Sequence, residues 1–448
     1  MTAQELLRRL DSPASETALS LFYKDPERSR QRAKALVRGL AEHVSDGETV
    51  RLFSAPGRTE LGGNHTDHNR GRVLAASIQL DILAAVSPRK DKKVFFRSSG
   101  FDDVELDLSD LGRKSEEEGS TRALIRGVAA AFATRGIETG GFTGNAESLV
   151  LPGSGLSSSA AVEVLIASIF DRLFGGGRQR SLEIAKIGQW AENEYFGKPS
   201  GLMDQAACAS GGAVAIDLKD IENPKVKVVP FNPEAAGFAL CVVDTRGSHA
   251  GLTPDYAAIP DEMKAVAGFF GKTVLRETSL RAVLEHCAEL RAGLGDRAVL
   301  RALHFFAEND RVPLMTRALE ALNAEKDRGA KGKIMDRFLN LVNQSGSSSC
   351  MLLQNIYAAG KPREQGISLA LALTRIFLET QTAGQTLNGA CHGACRVHGG
   401  GFAGTIQAYI PLESLPAYTE NMETVFGRGA LTPLAIRPVG AAEIELPA

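Results

Sequence analysis

The sequence predicts an α+β protein in two lobes, and three observations carry that expectation. Short β-prone runs and helix-spaced apolar runs succeed one another in mixed order, without a regular βα alternation. Long amphipathic helices dominate from about Asp255, and strands return near the C-terminus. At 448 residues two domains are more natural than one, and either could bury a full core.

The elements follow in order. Residues 1–45 read as helical, most strongly Arg28 to His43. Val50-Phe53, Arg72-Ala76, Asp81-Ser87 and Lys93-Arg97 are β-prone, whereas Thr121 to Arg135, Ser159 to Leu173 and Lys186 to Tyr195 have helical spacing. Ala213-Asp217, Lys225-Val229 and Phe238-Val243 return to strand. Glu262-Phe270, Ser279-Ala292 and Arg297-Glu308 are the long helices, and Ala394-Val397 and Ala403-Ile410 are strands around a glycine turn. The lobe boundary is set near Asn232, giving units 1–231 and 232–448.

Composition narrows the class of partner. With 51 basic and 53 acidic residues, neither nucleic acid nor a membrane surface is indicated. Six scattered cysteines in apolar or helical contexts read as reduced thiols rather than a disulfide framework. Met1 to Leu10 is charged and amphipathic, without an apolar signal core. No run of about eighteen apolar residues occurs, so no membrane span is expected. The expectation is a cytoplasmic monomer acting on small molecules.

The sharpest chemical signal is Leu151-Pro152-Gly153-Ser154-Gly155-Leu156-Ser157-Ser158-Ser159-Ala160-Ala161. Glycines let successive backbone N–H groups converge on one anion. The apolar run from Val162 to Leu173 makes the turn open a helix, whose positive end favours phosphate. A flexible linker fits poorly, because apolar segments bound the stretch on both sides.

A second stretch, Ala55 to Asn69, packs Arg58, Glu60, Asn64, His65, Asp67 and His68 around turn glycines. Burying so many polar groups is costly without a ligand to satisfy them, and a polyol is the ligand favoured. Zinc binding by His65, Asp67 and His68 is less apt, since in extended chain 65 and 67 share a face that 68 leaves. In the third stretch, Gly393 to Gly404, the glycines at 399, 401 and 404 satisfy G-x-G-x-x-G, but strand rather than helix follows, against a dinucleotide site. Cys391 and Cys395 with His392 and His398 make weak metal candidates. Gly268 to Thr273 imitates a Walker loop but has Val266 where the first glycine belongs and reads as a helix cap.

Together the three stretches resemble the GHMP small-molecule kinases, and most closely the galactokinase family. Pro56 to Asn69 resembles that family's signature, Pro152 to Ala161 its phosphate-binding motif and Gly393 to Gly404 its third motif. Ala191-Glu192, Gly201-Leu202-Met203-Asp204-Gln205 and Asn343-Gln344-Ser345 also match. The resemblance runs from about Leu21 to the third motif. It implies a GHMP kinase fold, with a first lobe like domain 2 of ribosomal protein S5 and a ferredoxin-like second lobe, and ATP and sugar between them.

Roles implied by the resemblance attach to residues one at a time. Asp204 matches the base facing the anomeric hydroxyl, and Arg58 the arginine beside it. Ser159 and Glu192 match the Mg²⁺ ligands; hard oxygen donors suit that ion. Backbone groups of Gly153, Ser154, Gly155, Leu156, Ser157 and Ser158, with Ser159, match the ATP phosphate cradle. His65, Asp67, Gly201 and Tyr256 match sugar contacts, Tyr256 lying seven residues after His249.

The chain departs from the family at several of these places. Asn64 stands where the glutamate that contacts the C6 hydroxyl is usual, and His68 replaces a tyrosine. Thr59-Glu60 replaces Val-Asn, and Val397-His398 replaces Met-Thr. An amide both donates and accepts, so Asn64 would still bind a hydroxymethyl group and would no longer repel a sugar acid. Glu60 is expected to swing toward the site or to pair with Arg58. The reading preferred is a galactokinase forming galactose 1-phosphate. An anomeric kinase for a C6-altered sugar (galacturonate or arabinose) and a non-catalytic sugar- and ATP-binding regulator are the alternatives.

Overall fold

The computed structural model describes residues 1–150, 155–198, 200–248, 250–383 and 392–447. Three helices open the chain: α1 (Ala3–Asp11), α2 (Ala14–Ser20) and α3 (Pro26–Ala41). Thr2 and Asp25 cap α1 and α3 by accepting from the Glu5 and Arg28 backbone N–H groups, satisfying donors that a helix start leaves free.

Two long antiparallel strands follow, β1 (Arg51–Gly62) and β2 (Arg72–Pro88). Both outrun the sequence expectation, which ended the first at Phe53 and divided the second. Pairing carries β1 through Pro56-Gly57 across a register shift between Pro56 and Arg58, the kind of irregularity that lets a strand hold a proline. Alternate residues serve two cores. Phe53, Ala55, Ala84 and Val86 face one cluster, and Leu52, Leu83 and Ala85 pack with α1–α3 in another. Burial on both faces gives β2 its nearly continuous apolar sequence.

The first lobe continues with β3 (Lys93–Ser98), β4 (Val104–Asp107), α4 (Thr121–Ala133), β5 (Phe142–Ser148), α5 (Ser158–Phe170), α6 (Ser181–Ala191), α7 (Met203–Ser210), β6 (Ala213–Asp217) and β7 (Lys225–Val229). The second contains β8 (Phe238–Asp244), α8 (Thr253–Phe269), α9 (Leu280–Glu285), α10 (Cys287–Leu294), α11 (Asp296–Ala324), α12 (Arg328–Ser348), α13 (Gly366–Ala383), β9 (Ala394–His398), β10 (Thr405–Pro411), α14 (Leu415–Phe426) and β11 (Leu431–Leu434). The last strand, β12 (Ala442–Glu443), returns to pair with β1.

Two sheets organise the molecule. The first runs β12-β1-β2-β5-β3-β4, with β6 also on β2 and β7 on β6; β3 and β5 are parallel and the other pairs antiparallel. The second, wholly antiparallel, runs β11-β8-β10-β9. Numbered by chain position within that sheet, its order is fourth, first, third, second, the ferredoxin-like arrangement. The expected two-lobed α+β architecture is therefore present. Asn232 falls between β7 and β8, where the chain passes from one sheet to the other, whereas β12 belongs to the first sheet. Helix α11 joins the lobes: Phe305 and Phe306 pack with α8–α10, and Val312, Met315 and Leu319 with the first sheet. Among the described residues no helix is long and apolar enough to cross a membrane.

Candidate active site

The glycine-serine loop meets the signature strand at the start of α5. Gly153 and Ser154 lie outside the described residues. The Arg58 backbone N–H donates to the Leu156 carbonyl at 3.1 Å, pinning the loop to β1. Ser157 precedes α5 with φ 59°, a left-handed conformation uncommon for a residue with a side chain. In that conformation its hydroxyl donates to Oδ2 of Asp204. Ser158 and Ser159 form the first turn of α5.

Asp204, in the first turn of α7, receives a two-pronged bond from Arg58: Nε to Oδ1 at 2.6 Å and Nη2 to Oδ2 at 2.8 Å. The remaining Arg58 nitrogen donates to the Gly155 carbonyl, so one guanidinium ties carboxylate and loop together. Burial pushes the Asp204 carboxyl up. The charge and hydrogen bonds of Arg58, the Ser157 bond and the charge of Lys198 outweigh it and hold the group below the usual carboxylate range.

A second carboxylate stands beside the loop. Glu192 begins a widened turn at the end of α6, a device frequent at functional sites. Its Oε1 accepts from Ser159 Oγ and Lys198 Nζ, both at 3.1 Å, and its Oε2 from Gln205 Nε2 at 2.9 Å. The same Gln205 nitrogen donates to Glu163 at 2.9 Å. Burial, then repulsion from Glu192, pushes the Glu163 carboxyl well up.

The signature stretch ends in a tight turn over 63–71. Thr66 Oγ1 binds the carbonyls of Gly63 and Arg72 at 2.9 and 2.6 Å, and Asp67 starts a short 3-10 turn. A stripe on α11 that sequence reasoning missed holds this turn from outside. His304 Nε2 reaches the Asn64 carbonyl at 2.9 Å, Glu308 accepts from Gly63 N–H at 2.9 Å and Asn309 from Arg72 N–H at 3.0 Å. A run of polar residues inside a long apolar-patterned helix was the available signal.

Arg58, Glu60, Asn64, His65, Asp67, Gly201, Asp204 and Tyr256 line one cavity of about 340 Å³. The structure thus brings every described sugar-contact candidate to one place. A Cβ at Gly201 would stand 2.3 Å from Asp67 Oδ2, so any larger residue there would push that carboxylate from its place. The His65 Nε2 meets the Gly400 carbonyl at 3.0 Å. A carbonyl only accepts, so Nε2 carries the proton and the buried, unpartnered Nδ1 is an acceptor. Burial, then repulsion from His68, lowers His65 to about 4, so the ring is neutral at physiological pH. Tyr256 Oη donates to the Gly401 carbonyl at 2.7 Å, tying α8 to the third glycine stretch.

The departures from the family pattern prove to be one another's neighbours. Glu60 lines the site cavity, in keeping with one of the two expectations above, but pairs with Arg396 of β9 and not with Arg58, which corrects the other. Both are buried, and Arg58 is not free for Glu60 because its Nε and Nη2 bind Asp204 and its Nη1 the Gly155 carbonyl. Thr59 meets His398 Nε2 at 3.1 Å, and His398 Nδ1 meets Thr405 Oγ1 at 2.9 Å. Gln407 donates to Thr59 Oγ1 and the Glu60 carbonyl at 2.7 and 2.8 Å. Asn64 Nδ2 donates to Glu60 at 3.1 Å and the Gly399 carbonyl at 2.7 Å; its Oδ1 accepts from Asn355 at 3.0 Å and Ser349 at 3.4 Å. The amide is therefore engaged by protein through both its nitrogen and its oxygen while still lining the cavity, so a C6 group would reach it only in place of one of these bonds.

A further cavity of about 360 Å³ opens beside Ser158 and Ser159, lined by Phe96, Phe101, Leu124, Val162 and Phe196 among others. These residues come from separate elements and form no motif, so sequence reasoning could not place them.

A glycine- and serine-rich loop running into a helix beside an arginine-held aspartate, in a cleft between this first lobe and a ferredoxin-like second, is the arrangement of a small-molecule kinase of the GHMP class. The family model described as GHMP kinases N terminal domain matches residues 123–212, and a Methanococcus jannaschii mevalonate kinase shares the fold at 13% identity and TM-score 0.57, covering 87% of this chain and 98% of that one. The model described as the galactokinase galactose-binding signature matches residues 42–88. Galactokinase of Streptomyces coelicolor is 30% identical over 394 residues, 86% of this chain and 90% of that protein. Galactokinase of Mannheimia succiniciproducens is 32% identical over 81% of this chain and 85% of its own. The structure of Lactococcus lactis galactokinase complexed with galactose superposes with TM-score 0.71 at 24% identity, covering 91% of this chain and 98% of that chain. The chain belongs to the galactokinase family. It is a sugar kinase that uses ATP.

Proposed function

We propose that this protein transfers the γ-phosphoryl group of ATP to the anomeric hydroxyl of D-galactose, giving galactose 1-phosphate and ADP. The observation that carries the reading is Asp204, fixed by Arg58 and Ser157 where the sugar cavity meets the phosphate loop. The C1 hydroxyl oxygen forms its bond to the γ-phosphorus as the bond to the β,γ-bridging oxygen breaks. ADP leaves with that electron pair, and the hydroxyl proton passes to Asp204. A carboxylate held this low is a weak base, which suffices because a loose transition state needs little prior deprotonation. Arg58 orients Asp204 and offers charge to the phosphoryl oxygens.

Glu192 Oε1 and Ser159 Oγ, 3.1 Å apart at the mouth of the loop, form a hard-oxygen pair that fits Mg²⁺. Bound there with ATP, the ion would neutralise charge on the β- and γ-phosphate oxygens. Gly153 to Ser158 would cradle the phosphates, and the apolar cavity beside Ser158 suits adenine. The Asp67 carboxylate and His65 Nδ1 would accept from ring hydroxyls. Asn64 serves in the wall by holding Glu60, whose carboxylate lines the same cavity.

Glu60 weighs against the sugar-acid alternative. Replacing the family glutamate at 64 by an amide removes one carboxylate from the C6 end, but the nearby Arg396 is already committed to Glu60, so that end of the cavity supplies a uronate with no counter-charge. The intact set of Arg58, Asp204, Ser159 and Glu192 supports catalysis over a purely regulatory role. Sugar-dependent ADP release with Mg-ATP tests the proposal across D-galactose, D-galacturonate, L-arabinose, D-glucose and N-acetylgalactosamine. A kcat/KM for galactose at least 100-fold above galacturonate is expected; preference for any other sugar would overturn it.

A further inference from the structure

Lys198 belongs to neither the catalytic pair nor the sugar contacts, yet it lines the same cavity as Arg58 and Asp204. Its place is set by the chain. After the widened turn 192–196, Gly197 adopts φ 83° and the Lys198 backbone N–H returns to the Glu192 carbonyl at 3.2 Å. Its ammonium then sits 3.1 Å from Glu192 Oε1, the oxygen that also accepts from Ser159. The side chain of Glu192 is almost wholly buried, whereas that of Lys198 is 59% exposed. The other oxygen of Glu192 is committed to Gln205, so Oε1 alone faces the loop. A divalent ion and an ammonium cannot share one carboxylate oxygen without strong repulsion. When a metal–nucleotide complex arrives, Lys198 must give way, and its flexible four-carbon stem lets the charge relocate to the nearest new anion.

We infer that Lys198 is a phosphoryl-contacting residue, neutralising Glu192 in the free enzyme and moving to the γ-phosphoryl oxygens when ATP is bound. The inference rests on the kinase reading of the site but not on the identity of the sugar. A lysine there would stabilise negative charge on the equatorial oxygens during transfer, a role that preorganised cations commonly fill in phosphoryl transfer. Its field already reaches Asp204, which Lys198 helps to keep ionised.

The test pairs calorimetry with kinetics on Lys198→Met and Lys198→Arg. Without sugar, Mg-ATP and Mg-ADP are titrated into each protein. A γ-phosphoryl contact requires that Lys198→Met weaken ATP at least fivefold while ADP stays within twofold, and that Lys198→Arg recover most of the difference. In turnover, kcat of Lys198→Met should fall about 100-fold with the sugar KM within twofold. Equal weakening of ATP and ADP would make Lys198 a mere support for Glu192 and overturn the inference, as would a kcat within threefold of wild type. Wild-type turnover of galactose is measured in parallel. If it is absent while the ATP/ADP difference holds, the sugar assignment fails and this inference stands.

Discussion

Asp204 receives hydrogen bonds from Arg58 Nε, Arg58 Nη2 and Ser157 Oγ, all of which need its charged form. Asp204→Asn keeps the shape but loses both the proton acceptor and the partner of Arg58. We expect kcat to fall about 10³-fold with ATP affinity nearly unchanged, read from steady-state kinetics and calorimetry. Asn64 gives a less obvious expectation. Its engaged amide and the neighbouring Glu60 mean that Asn64→Glu would place two carboxylates side by side in a buried site. That variant should lose stability and at least tenfold in galactose kcat/KM rather than gain selectivity. Glu60→Asn combined with Asn64→Glu keeps one carboxylate and one amide and should recover much of the loss. Failure of the double variant to improve on Asn64→Glu would exclude this account of the pocket.

At the scale of elements, α11 does what no short motif announces, gripping the sugar-site turn through His304, Glu308 and Asn309. Glu308 is fully buried and bound by Gly63 N–H, Ser345 Oγ and Arg311. Burial pushes its carboxyl up, but the Arg311 charge dominates and it is lowered to about 2. A carboxyl lowered on folding stabilises the native state above its unfolded value of 4.5, and that contribution fades as pH falls toward 2. Glu308→Gln should cost about 3–5 kcal/mol at neutral pH by leaving Arg311 buried without its partner. The variant should also show a shallower loss of stability than wild type between pH 4.5 and 2 in urea unfolding. Asn343 and Ser345, matched in sequence without a stated role, act similarly: Asn343 bonds Cys395 N–H at 3.1 Å and Ser345 bonds Glu308 at 2.7 Å, fixing β9 against α11 and α12.

Across the whole molecule, the two lobes meet through buried polar bonds between β1 and the β9–β10 pair. Arg396–Glu60, His398–Thr59 and Gln407–Thr59 all cross that junction. Arg396→Met leaves the Glu60 carboxylate buried with only Asn64 to bind it, and should cost about 3–5 kcal/mol. Adding Glu60→Gln removes the stranded charge, so the double variant should be more stable than Arg396→Met alone. Thermal unfolding of the four proteins in this cycle measures the coupling; strict additivity would mean that the pair does not join the lobes energetically.

Local chemistry determined a large part of this protein. The glycine loops, the helix-opening serines and the paired motifs were legible in sequence because backbone approach to phosphate and dense polar turns demand particular residues at close spacing. Arg58, Asp204, Ser159 and Glu192 were singled out only through the resemblance to the galactokinase family, because 146 residues separate the first two and no local pattern joins them. The length of β1 was not legible, because pairing on both sides overrode the turn chemistry of Pro56-Gly57. Nor was the partner of Glu60, since Arg58 lies two residues away in sequence and Arg396 more than three hundred. Whether Asn64 faces the sugar or props up Glu60 depends on which groups desolvate together when the lobes close over the signature turn. That choice is made by the packing of β1, β9 and α11, and by no residue alone.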